Sequence, residues 1–189
     1  MNVKHKALYT RDEMLELNVQ TLKERTVSVI EIAEVAFRQQ SKWSKTISLQ
    51  QCVDSVEKIL SIRDVFHLVQ LGAEIDRLTD ENAFKGPIQD ILKTDLGMFG
   101  IDELFGLELA GMYGTIGKTN FGDIDVNKPL VVDRLNEDGK HEGGLCHTFL
   151  DDIVGAIAAA ASTRVAQITN ENEALKDPSV EEIKLDLDI

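Results

Sequence analysis

Between Phe99 and Gly155 the chain gathers side chains that bind cations and phosphates: Asp102-Glu103, Asp123-Ile-Asp125, Lys128-Pro129, Gly143-Gly144 and Asp151-Asp152. Carboxylates arriving in pairs from separate segments repel one another and push each other's pKa upward unless a cation lies among them. A divalent ion that prefers hard oxygen ligands, such as Mg²⁺ at about 2.0–2.1 Å, removes that penalty. Asp102, Glu103, Asp125, Asp151 and Asp152 are the candidate metal ligands, and Lys128 can hold a phosphate. Each has an ordinary reading too. Asp151 completes a capping box with Thr148, which serves it as well as ligation does, and Asp102 suits the positive end of its own helix. Asp123 reads as a turn residue, and Lys128 would be a solvated lysine but for its place beside Asp125. Gly143-Gly144 is a flexible turn or a close approach of backbone to phosphate.

These blocks resemble the phosphatidylglycerophosphatase A family of Mg²⁺-dependent lipid phosphatases. Asp102-Glu103-Leu-Phe-Gly106 is similar to its Asp-Glu-x-x-Gly block and Asp125-Val-Asn-Lys128-Pro129 to its Asp-x-x-Lys-Pro block. Gly143-Gly144 with Asp151-Asp152-Ile-Val-Gly155 is similar to its closing block. The resemblance covers residues 99–161, with nothing similar visible upstream. It implies hydrolysis of phosphatidylglycerophosphate to phosphatidylglycerol and phosphate, with Asp102, Glu103, Asp125, Lys128 and Asp152 as catalytic residues. Two departures point to the smaller soluble branch. The family's Gly-Thr-x-Gly-Ser block has its nearest match at Gly114-Thr-Ile-Gly117-Lys118, after the Asp-Glu block. The longest apolar run near the motif, Ile153 to Ala161, falls far short of the roughly 20 residues that span a bilayer.

Composition narrows the field. A chain of 189 residues, 43% hydrophobic, suits one globular domain. The net charge of −13 argues against nucleic acid and against passive adsorption to anionic lipid. The N-terminus Met1-Asn-Val-Lys4-His5-Lys6 lacks the apolar core of a signal sequence, so cytoplasmic, reduced thiols are expected for Cys52 and Cys146. Neither cysteine opens a Cys-x₅-Arg phosphatase loop. The segment Gly111 to Thr119 departs from P-loop spacing and follows no strand, and Asp123 to Asn127 lacks the EF-hand glycine. His141 and His147 have no partner at metal-ligand spacing, while His67 and His5 read as structural or surface residues.

The elements that must position these residues read as helices throughout. Thr10-x-x-Glu13, Ser28-x-x-Glu31 and Ser48-x-x-Gln51 are capping boxes. A helix from Ile62 to Leu78 is expected to bury Val65, Leu68, Val69, Leu71 and Ile75. Pro87 opens a short helix that Gly97 to Gly100 breaks, Asp102 opens one reaching about Gly114, and Pro129 begins another through Leu135. The motif acids are thereby placed on helix starts and loops. Thr148 caps a last helix, through about Ile168, whose Gly155, Ala156 and Ala158 to Ala161 let neighbours approach closely. The stripe Gly106, Ala110, Gly114 is expected to pack against it.

The fold class is thus all-α, a compact array around a central Gly/Ala-rich helix. Residues 1–170 form one domain and 171–189 an acidic tail, of net charge −5, outside the core. Ile183 to Ile189 alternates like a strand. The reading is a soluble Mg²⁺-dependent phosphomonoesterase, peripheral to a membrane if its substrate is a lipid, with homo-oligomers expected from the small-residue stripes and the tail. One rival is an all-α nucleotide pyrophosphatase using Glu31-x-x-Glu34 and Asp54-x-x-Glu57, which also read as solvated helix faces. The other is a non-catalytic helical interaction protein.

Overall fold

The computed structural model describes residues 8–95, 100–141 and 143–176, and the alternating segment from Ile183 lies outside them. Among the described residues there are nine helices and no strand: α1 Arg11–Glu24, α2 Val29–Gln40, α3 Leu49–Leu60, α4 Arg63–Asp80, α5 Pro87–Thr94, α6 Ile101–Gly111, α7 Gly114–Asn127, α8 Val131–Asp138 and α9 Leu150–Ala174. None is long and apolar enough to cross a membrane.

Local chemistry explains four of the nine starts among the described residues. The Thr10, Ser28 and Ser48 capping boxes form in full, each hydroxyl accepting the N3 amide while the N3 side chain returns to the cap amide. Pro87 fills the first position of α5, where its missing N–H is harmless.

Helix α9 is the axis of the molecule, packed by α2, α3, α6 and α7 and more narrowly by α4 and α8. Every residue from Leu150 to Thr163 is buried, so this stretch has no solvent face. Its small residues are consumed inside the chain and offer no surface for self-association. The helix continues to Ala174, beyond the expected end near Ile168 and into the segment read as tail.

Two close approaches set the angles around it. A Cβ on Gly72 of α4 would lie 2.3 Å from Ile153 Cδ1, so α4 meets the start of α9 where it lacks a side chain. A Cβ on Gly117 would lie 2.1 Å from the Ala110 carbonyl oxygen, which lets α7 fold back onto α6. The expected Gly106–Ala110–Gly114 stripe is therefore cut. The first helix ends at Gly111, and Gly114 starts α7, an element the sequence reading missed.

Helix α4 buries Val65 and Val69 as expected, but not Leu71. Val65, Val69, Gly72, Asp76 and Thr79 point inward, while Leu71 is 52% exposed. Leu68 and Ile75 pack at the margin. Glu34, Asp54 and Glu57 lie on exposed helix faces, and Glu31 serves its capping box and Arg134. They occupy solvated faces as in the ordinary reading.

Gly117→Ala should lower the unfolding free energy by about 1–3 kcal/mol, because a backbone carbonyl blocks the new methyl and outweighs a helix-propensity gain of about 1 kcal/mol. Gly122→Ala, where a Cβ meets nothing within 4 Å, should stabilise by up to that gain. Urea titrations of the two variants check this, and equal effects would exclude the α6–α7 contact as the cause.

Candidate functional site

Three helix ends converge. Asp102 and Glu103 lie in the first turn of α6 and Asp151 and Asp152 in the first turn of α9, where the helix dipole favours negative charge. Asp125 lies in the last turn of α7, on a helix rather than the expected loop, and Lys128 is that helix's C-cap.

Lys128 is the hub. Its Nζ donates to Asp125 Oδ1 at 2.8 Å, Asp151 Oδ2 at 3.0 Å and Asp152 Oδ1 at 3.5 Å. Its backbone is left-handed, φ 40°, and Leu130 beyond Pro129 is at φ 55°. Such geometry in residues other than glycine costs of order 1–3 kcal/mol and persists where surrounding contacts over-determine it. Here it ends α7 and turns the ammonium back onto α9.

The acids are buried: Asp102 is 5% exposed, Asp151 5% and Asp152 4%. Burial, then the neighbouring Asp151, push Asp152 up to about 9 despite Lys128. Asp125 and Asp102 add to that rise, so the α6 acid feels the α9 pair across the site. Burial lifts Asp151 to about 6, with Lys128 opposing and Asp95 assisting. Asp102 is raised by burial and by Asp95, and its Oδ1 is buried with no hydrogen-bond partner. For Lys128, burial works against the charge, but Asp151, Asp125 and Asp152 outweigh it and hold the ammonium protonated.

The structure thus joins Asp125, Lys128, Asp151 and Asp152 directly and couples Asp102 to them. Glu103 is half-buried beside Asp102 and bonds to no described side chain. Asp123 is in α7 rather than a turn and pairs outward with Lys42 at 2.9 Å. Among the described residues no three His, Cys, Asp or Glu side chains already stand in a metal-holding arrangement. The Lys128 ammonium reaches three of the carboxylates instead.

The sequence reading missed what starts α9. Thr148 caps nothing; its hydroxyl donates to the Leu92 carbonyl at 2.7 Å. The cap comes from α4, where the fully buried Asp76 accepts the Phe149 amide on Oδ1 at 3.1 Å and the Leu150 amide on Oδ2 at 2.9 Å. Burial pushes Asp76 well above the carboxylate range, opposed by the Phe149 amide, Arg25 and the Leu150 amide. One turn on, Asp80 accepts the Cys146 amide at 2.7 Å and pairs with Arg25 at 2.7 Å, while Arg25 also donates to the Cys146 carbonyl. An acid in helical register with Val65, Val69 and Gly72 was the available signal. Asp95, at the left-handed C-cap of α5, also acts on Asp102 and Asp151 and was not anticipated.

Asp76→Ala should strand two buried amides at about 1–3 kcal/mol each, whereas Asp76→Asn keeps one acceptor and should lose less. Urea unfolding at neutral pH orders the two, and an Ala variant within about 0.5 kcal/mol of wild type would contradict the cap. Asp152 makes a second expectation. Because its folded pKa is raised, its stabilising effect is full below the unfolded pKa near 3.9 and is lost as pH rises through about 9. Asp152→Asn should therefore gain on wild type as pH rises from about 4 to 9 in chelator. Melting curves giving a constant difference over that range would refute the assignment.

The chain matches the family described as Phosphatidylglycerophosphatase A over residues 32–167, which contains the region 99–161 of the three blocks and extends well upstream of it, where no resemblance was expected. It is 40% identical over 152 residues to the uncharacterized protein YutG of Bacillus subtilis, covering 80% of this chain and 90% of that one. The crystal structure of ypjQ from Bacillus subtilis superposes with TM-score 0.81 at 36% identity, covering 87% of this chain and 99% of that one. The low temperature requirement C protein of Listeria monocytogenes gives TM-score 0.78 at 39% identity, covering 83% and 97%. With most of its helical array and all three acidic blocks inside the match, the chain belongs to the phosphatidylglycerophosphatase A family.

Proposed function

We propose that the chain is a Mg²⁺-dependent phosphomonoester hydrolase acting on a phosphorylated glycerol head group such as that of phosphatidylglycerophosphate. The observation that carries this reading is one ammonium bonded to three carboxylates from two helices, with a fourth buried acid, Asp102, whose Oδ1 lacks a partner. So much negative charge at low exposure repels a phosphate dianion unless a further cation enters.

The donor set fits a hard divalent ion. It is oxygen only, and Asp102 Oδ1 has an unused lone pair in a buried position. Asp102, Glu103, Asp125, Asp151 and Asp152 would hold the ion, which would supply charge for the phosphoryl oxygens and acidify water. Lys128 adds the fixed positive charge that meets a phosphoryl oxygen as it arrives. Asp152 holds a proton at neutral pH that a cation must displace, so ion binding and proton release are coupled at this carboxyl. We place the protein in the cytoplasm, meeting a lipid substrate from the aqueous side.

Phosphate release should require Mg²⁺ and stop on chelation. Asp152→Asn should lose at least about a hundredfold in kcat/KM, and Lys128→Ala should act mainly through the phosphate. Apparent Mg²⁺ affinity should weaken by up to about tenfold per pH unit below the Asp152 pKa. Undiminished turnover in chelator, or a fully active Asp152→Asn protein, would defeat the reading.

A further inference from the structure

Toward the opposite end of α9 from the acidic site, the end of α2 with the segment after it, α7 and the last turns of α9 enclose a groove of about 500 Å³. Its wall is more apolar than polar. Trp43 and Ile116 line it, yet they are 81% and 63% exposed, so no described residue covers them. Two large apolar side chains lining one open groove mark a surface that something else covers.

The charges around it select the occupant. Glu173 is the one charged residue of the lining. Lys42 and Lys45 bracket Trp43 and Ser44; Lys42 pairs with Asp123 at 2.9 Å, whereas Lys45 is exposed and its ammonium bonds to no described residue. An apolar segment that carries mainly acids, with a single base for Glu173, complements this pattern.

Such a segment lies within reach. The described chain ends at Lys176, one turn past Glu173, and residues 177–189 follow. Among them Ile183, Leu185, Leu187 and Ile189 stand at every second position, so an extended backbone puts all four on one edge and Lys184, Asp186 and Asp188 on the other. Residues 177–182 span up to about 20 Å, while Glu173 and Ala166 lie only about 5 and 15 Å back along α9 from Lys176.

We propose that residues 183–189 of the same chain occupy this groove, with the apolar edge on Trp43, Ile116 and Ala166, Lys184 toward Glu173, and the acids toward Lys42 and Lys45. A short linker supplies an effective concentration of order millimolar, so a segment too small to bind as a free peptide suffices. The groove is independent of the hydrolase reading, since about 21 Å of helix separates Ala166 from Asp152.

Trp43 is the only tryptophan of the chain, so its fluorescence reads the groove directly. The test compares, all in the full chain, wild type with Leu185→Asp plus Leu187→Asp, with Ile116→Asp, and with the three substitutions combined. Either set should shift Trp43 emission to the red and raise its quenching by acrylamide about twofold, as an aromatic face passes from apolar cover to water. The Leu185 and Leu187 substitutions should add nothing once Ile116→Asp is present, because both sets break one contact. The wild-type signal should stay constant on about hundredfold dilution, as an intramolecular contact requires. Equal quenching of wild type and the Leu185/Leu187 variant, or an effect that persists undiminished beside Ile116→Asp, overturns the assignment. A wild-type signal that reddens on dilution gives the groove to a second copy, and one that turns blue only with phosphatidylglycerol vesicles gives it to a lipid surface; either result overturns it too. Unchanged far-ultraviolet helicity verifies the fold, as expected for so exposed a residue as Ile116 and for substitutions outside the described helices.

Discussion

A helix that begins inside a protein must find acceptors for its first amides without water, and the start of α9 meets that demand through Asp76. Much else follows from it. Asp76 reaches those amides because Gly72, one turn earlier on α4, lets the two helices approach to the distance of Ile153. Asp80, one turn later, holds the preceding segment by the Cys146 amide. The same face of α4 thus clamps both sides of the junction, and Asp151 and Asp152 inherit their positions from it.

Placing those acids at the buried end of α9 creates the electrostatic problem that defines the site. The helix dipole helps each carboxylate by a fraction of a kcal/mol, far less than burial takes away. Lys128 offsets part of the difference, and the rest appears as a proton retained on Asp152. Proton and ammonium are two ways of neutralising one cluster, so protonation and stability are linked through it. The left-handed backbone at Lys128 belongs to this economy, since it ends α7 where the ammonium can face α9.

Position in the fold also separates the acidic cluster from the cavity beside it. Carboxylates from α7 and α9 meet the ammonium, while the neighbouring cavity draws on α5, α8 and the segment before α9. Asp151 belongs to both.

What the sequence determined by itself was the helical class, three complete capping boxes, the burial of the Gly/Ala-rich helix and the acids Asp125, Asp151 and Asp152 with the lysine Lys128 that the fold brings together. These are local signals: hydroxyl-to-amide reach within four residues, apolar spacing, and a run too rich in small residues to lie at the surface. Tertiary structure decided the rest. That Asp76 and not Thr148 caps α9 depends on a contact 73 residues apart in sequence, which no local pattern encodes. That α7 exists as a helix reflects packing at Gly117 against the Ala110 carbonyl, which overrides a glycine-rich stretch of poor helix propensity. That Lys128 sits among the carboxylates, and that Asp95 and Asp102 act on the same pair, follows from the meeting of helix ends, where charges distant in the chain share one poorly solvated space.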